Sequence, residues 1–138
     1  MSGNLGKMEI NLTGTVGVVG PSLVAIGTQL GFVVWEQTVP MSGPSYKYYE
    51  VDCQVGGSTP LALGVIVIEQ SSSQNVLMTF GPISAWLEAE AVNAEYVEKF
   101  WDFIDSALRQ LLVWGFVHRL DPQPPEPNGP TPPLGSNL

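Results

Sequence analysis

Hydrophobic and polar positions alternate along most of the chain before Gly81. A period of two marks strands with one covered face and one wet face. Ile10, Leu12, Val16 and Val18 alternate with Asn11, Thr13, Thr15 and Gly17, which predicts a first strand over Lys7 to Val19. Gly20-Pro21-Ser22 reads as a turn, because proline presets the first corner of a type I or II turn. Leu23 to Ile26 then returns as a short strand. Gly31 to Val39 is the next candidate, rich in β-branched and aromatic residues and ended by Pro40 and Ser42-Gly43-Pro44.

Tyr46 to Val55 has the cleanest alternation. Tyr49, Val51, Cys53 and Val55 fall on one face, and Tyr46, Tyr48, Glu50, Asp52 and Gln54 on the other. Gly56-Gly57-Ser58-Thr59-Pro60 is a hairpin connection. Leu61 to Glu69 is apolar on both faces, as a central covered strand would be. Ser71 to Asn75 turns the chain again, and Val76 to Phe80 completes a meander.

The period then changes. Val97, Trp101, Ile104, Leu108 and Leu111 recur at helical spacing and predict one long helix with a core-facing stripe. Asn93 is its expected N-cap, Glu95 and Glu98 suit its positive end, and Arg109, His118 and Arg119 its negative end. A short turn started by Ser84, over Ala85 to Ala91, precedes it. From Asp121 onward, 18 residues hold seven of the 12 prolines, a composition with no apolar surface to offset ordering. The expected fold is α+β: an antiparallel sheet of five or six strands, one long C-terminal helix packed on one face, and a Pro-rich extended tail. Residues 1–120 form the expected single domain and 121–138 the tail. Many unrelated functions use this layout, so the fold class alone assigns none.

Charge narrows the choice. Only 13% of the 138 residues are charged, and five Lys and Arg face thirteen Asp and Glu for a net charge of -8. Nucleic acid and anionic membrane surfaces both call for clustered cations, so neither is an expected partner. The stretch from Ile10 to Trp35 is uncharged and long enough to cross a bilayer, and Gly27 and Gly31 share a GxxxG spacing. Its glycines, Pro21 and interspersed polar residues argue against a span. No signal-peptide pattern is present, so the expected location is cytoplasmic or virion-associated.

One cysteine and one histidine exclude a disulfide framework and a thiolate zinc cluster. Cys53 reads as a small buried hydrophobe and His118 as a helix-end residue. No catalytic, metal or cofactor motif is present. Two surfaces remain. Glu50 and Asp52 share a strand face with Tyr46 and Tyr48, an arrangement that suits acid–base work, a calcium ion or sugar stacking, and equally a solvated sheet face. Glu95, Glu98, Asp102, Asp105 and Arg109 form a polar stripe whose continuation lands on Leu112 and Phe116, flanked by Val113 and Trp114. Those last turns are core or a protein-docking patch with aromatic anchors. The Pro-x-x-Pro spacings of the tail resemble polyproline ligands but read first as a linker.

The first functional expectation is a non-enzymatic structural or assembly protein: a subunit of a homo-oligomer or multi-subunit particle such as a virion. A small acidic protein-binding module, acting as adaptor, inhibitor or chaperone-like factor, is the second. A carboxylate-dependent enzyme using Glu50 and Asp52 is the third.

Overall fold

The structure, a computed structural model, describes residues 6–53, 61–86 and 94–117. In chain order it contains β1 (Met8–Thr13), α1 (Val16–Leu30), β2 (Val33–Gln37), β3 (Tyr46–Cys53), β4 (Leu61–Ser72) and β5 (Asn75–Pro82). A 3-10 turn over Ile83–Ala85 and then α2 (Ala94–Val113) follow. The five strands form one sheet in the order β1-β5-β4-β3-β2, with every neighbouring pair antiparallel. Strands β2 to β5 are a meander, and β1 closes its far side by pairing with β5. The fold is α+β, an antiparallel five-strand sheet with a C-terminal helix.

The alternation through Val16 and Val18 is misleading. The first strand stops at Thr13, and the predicted turn at Gly20-Pro21-Ser22 and the returning strand Leu23 to Ile26 are both inside α1. The buried residues of this helix are Val16, Val19, Gly20, Leu23, Ile26 and Gly27, a stripe at three- and four-residue spacing. Two of its six members are glycines, so an apolar pattern search passes over them. Both serve close approach to the sheet. A Cβ at Gly20 would collide with the Tyr49 hydroxyl, and one at Gly27 would lie 2.6 Å from a Val34 methyl.

The helix ends are well specified. Thr15 is extended at the N-cap but its side chain makes no capping bond. Gln70 of β4 substitutes for it. Its Oε1 accepts the Val16 N–H at 2.9 Å while its Nε2 donates to the Gly14 carbonyl at 3.2 Å. Gly31 (φ 85°) closes the other end, its N–H meeting the carbonyls of Gly27 and Thr28. Among the described residues no helix is long and apolar enough to cross a membrane.

Both helices pack on the same face of the sheet. Tyr49, Val51, Ile66, Ile68, Met78 and Phe80 point toward them and are buried. The stripe on α2 is wider than the sequence suggests. Phe100, Phe103 and Ala107 join Val97, Trp101, Ile104 and Leu111 in the core, while Leu108 is half-buried. Phe100 lies directly over Gly64, where a Cβ would strike its ring. A bulge opposite Val51 and Asp52 adds Leu63 to β4 and sends it into the core beside Gly64. Trp101 meets Phe80 and Phe100 edge-on, with ring centroids 5.8 and 5.2 Å away. The expected Asn93 cap, the connection at Gly56 to Pro60, most of the turn over Ala85 to Ala91, His118 and the tail from Asp121 lie outside the described residues.

Candidate functional site

Tyr46, Tyr48, Glu50 and Asp52 of β3 point to the sheet face away from both helices, since their neighbours Tyr49, Val51 and Cys53 are buried beneath the helices. The antiparallel register sets their surroundings. Trp35 of β2 lies opposite Glu50, and Gln37 lies opposite Tyr48. Two diagonal bonds tie the strands together on this face. The Trp35 indole N–H donates to Asp52 Oδ2 at 2.8 Å, and the Gln37 amide donates to Glu50 Oε1 at 2.9 Å. On the β4 side, Val65 and Val67 are the matching neighbours and are buried, although they lie outside the main core.

Part of the cover on this face comes from the N-terminal segment and from the turn after β5. Trp86, just after the 3-10 turn, meets Tyr48 edge-on with ring centroids 6.1 Å apart. The Lys7 ammonium lies 3.8 Å from the centre of the Trp86 ring. The backbone of Gly6 and Lys7 passes so near Gly81 that a Cβ there would lie 3.0 Å from the Gly6 carbonyl oxygen. Gly81 sits in the row of Trp35, Glu50 and Val65, so the N-terminal segment borders the carboxyl pair's own row.

The two carboxyls are not equivalent. Burial pushes the Glu50 carboxyl up to about 7, and a hydrogen bond to Asp52 and that residue's charge add to the effect, against the lowering effect of Gln37. Asp52 is 7% exposed, and among the described residues its Oδ1 is buried with no hydrogen-bond partner. In its protonated form the raised Glu50 carboxyl stands beside Asp52 as a hydrogen-bond donor. Tyr48 is raised by burial first, then by Glu50 and Tyr46. Such a pair can transfer a proton or accept a cation. Among the described residues no group of three or more His, Cys, Asp or Glu is placed to hold a metal ion.

The end of α2 resolves into two kinds of residue. Leu112 and Phe116 are half-buried and packed on the core. The chain reverses at Gly115 (φ 91°), and the Phe116 carbonyl accepts the Thr13 N–H at 2.8 Å. The Phe116 ring closes over Gly14 beside Val19. Val113 and Trp114 instead face outward, 76% and 40% exposed. The first turn of α1 is alongside, where Val18 is 52% exposed. The polar stripe therefore ends for two reasons: two side chains turn inward, and two are presented to solvent.

Trp35, Gln37, Trp86 and Lys7 are residues of this face that the reading of the sequence did not single out as site candidates. Trp35 and Gln37 share parity on one strand, a signal that the alternation carries. Trp86 and Lys7 had none, because only the turn after β5 and the path of the N-terminal segment bring them to the face. No protein-family model matches the chain, and neither a curated protein nor a solved structure does.

Proposed function

We propose that the chain is a non-enzymatic structural or assembly protein, a subunit of a larger oligomer that docks its neighbour through the apolar end of the molecule. The observation that carries this reading is Trp114. Its ring remains exposed together with Val113 and Val18, while Leu112 and Phe116 anchor the same turn in the core. An exposed tryptophan beside side chains anchored in the core is a residue type that often dominates a protein interface. Helix α1 adds no charge anywhere along Val16–Leu30, so the surface beside Trp114 has no charged residue of α1 to desolvate.

Native mass and mutation test the reading together. The wild-type chain is expected to run as an oligomer in light scattering at micromolar concentration. Changing Val113 and Trp114 together to Glu is expected to give a smaller, still folded species. Changing Leu112 and Phe116 to Glu is expected to unfold the chain, because those two side chains are packed on the core. A wild-type monomer, or a V113E/W114E variant that keeps the parent mass, would overturn assembly through this end. A monomer that captures one protein would leave the acidic binding module as the better reading, favoured by the carboxyl-bearing sheet face.

A further inference from the structure

The sheet face of Glu50 and Asp52 lies opposite both helices and takes no part in the docking proposed for Trp114. It carries an unbalanced charge. Asp52 is a buried charged residue, 7% exposed, and among the described residues its Oδ1 has no hydrogen-bond partner. Its other oxygen is fixed by the Trp35 indole. No cation of the described residues makes an ion pair with either carboxyl. Lys47 pairs with Glu36 at 3.2 Å, and Lys7 lies over Trp86. Lys99 and Arg109 belong to α2, on the far side of the sheet. The groups that do face Glu50 are Asp52 and Tyr48 of its own strand, Gln37 and Trp35 of β2, and uncharged Val65 of β4. A buried carboxylate of this kind ordinarily has a cation or several donors. Among the described residues neither is supplied to Asp52 Oδ1.

The face also has an aromatic wall. Trp35 is 40% exposed although its indole nitrogen is engaged, so its ring is open to a flat ligand. Tyr46 and Tyr48 are half-buried on the same strand face, and Trp86 stands against Tyr48. Two carboxylates next to an open indole match a guanidinium better than any other common cation. Its plane stacks on the ring while its forked N–H groups reach both acids. A calcium ion needs six to eight oxygens, more than this face supplies. The chain as a whole, at a net charge of -8, draws basic partners toward it.

We propose that this face binds an arginine side chain presented by a basic protein segment, with Glu50 and Asp52 as acceptors and Trp35 as the stacking surface. The guanidinium takes the place of the proton on Glu50, and that proton leaves to solvent. Binding therefore strengthens as the pH rises through the range in which Glu50 titrates in the free protein, and levels off above it. This site is independent of the apolar end, and losing one leaves the other intact.

The test uses the full chain and a short Arg-Gly repeat peptide as probe. Binding is followed by calorimetry and by the indole N–H cross-peak of Trp35, assigned with W35F. The peptide is expected to move that cross-peak and to bind more tightly at pH 8 than at pH 6. E50Q is expected to weaken binding about tenfold and to flatten its pH dependence. D102N makes the same change in net charge on α2 and is expected to stay within about twofold of wild type. W35F, which leaves the charge untouched, is also expected to weaken binding, so the result does not hang on one variant. An unmoved Trp35 cross-peak, or equal losses in E50Q and D102N, would show attraction to bulk charge alone and overturn the site.

Discussion

Ionising Glu50 is harder in the folded chain than in the unfolded one, because burial and the charge of Asp52 act only once β3 is formed. The sign of the consequence follows. The folded value of about 7 lies above the ordinary 4.5, so between those values the folded chain binds more protons than the unfolded chain. Glu50 therefore costs no stability below about 4.5, and its penalty grows as the pH rises and is complete above about 7. The neutral amide of E50Q keeps both the bond to Gln37 and a donor toward Asp52. Thermal melts of the two proteins are expected to diverge with pH, and at pH 8 E50Q is expected to melt at the higher temperature. Parallel curves from pH 4 to pH 8 would show that Glu50 titrates as an ordinary surface acid. At this scale the site was half legible. The alternation along Tyr46 to Cys53 places both carboxyls on one face. The raised Glu50 carboxyl was not legible, since it depends on burial and on the partners that β2 brings from another part of the chain.

Helix α1 shows how an element escapes a sequence reading. Its core stripe contains Gly20 and Gly27, its solvent face contains Gly17 and Pro21, and it has no charged residue to mark a wet side. Propensity favours a turn at Pro21, and tertiary packing overrides it. What decides the matter is contact at a distance in sequence: Tyr49 and Val34 leave room only for glycine, and Gln70 caps the first turn. None of those partners is within reach of a local window. Helix α2 was legible for the opposite reason, with long apolar residues at regular spacing and acids and bases between them. Pro21 gives a direct test. It is exposed and interrupts the bond that its amide would make to the Gly17 carbonyl, so P21A removes a local penalty without opening a cavity. A gain of about 2 kcal/mol in urea unfolding is expected, from the helix penalty of proline less its restriction of the unfolded chain. A loss of stability in P21A would mean that the packing of α1 on the sheet relies on a bend made by Pro21.

At the scale of the whole molecule the two proposed surfaces respond to salt in opposite directions, and this separates them without any mutation. Copies that each carry a net charge of -8 repel one another as they approach. Docking through Val18, Val113 and Trp114 is driven by apolar burial and opposed by that repulsion. Salt screens the repulsion, with a Debye length of about 30 Å at 0.01 M falling to about 8 Å at 0.15 M. Self-association is therefore expected to strengthen as NaCl is raised from about 10 mM to about 150 mM, and to strengthen further in a sulfate salt that favours apolar burial. Capture of an arginine peptide at Glu50 and Asp52 gains from the same field and is expected to weaken over the same range. Sedimentation of the chain alone and peptide titration at matched salt measure the two slopes. Oligomers that dissociate as salt rises would place charged contacts, rather than the Trp114 end, at the centre of assembly. Peptide binding that is indifferent to salt would remove the carboxyl pair from recognition and leave the indole of Trp35 as the whole of the attraction.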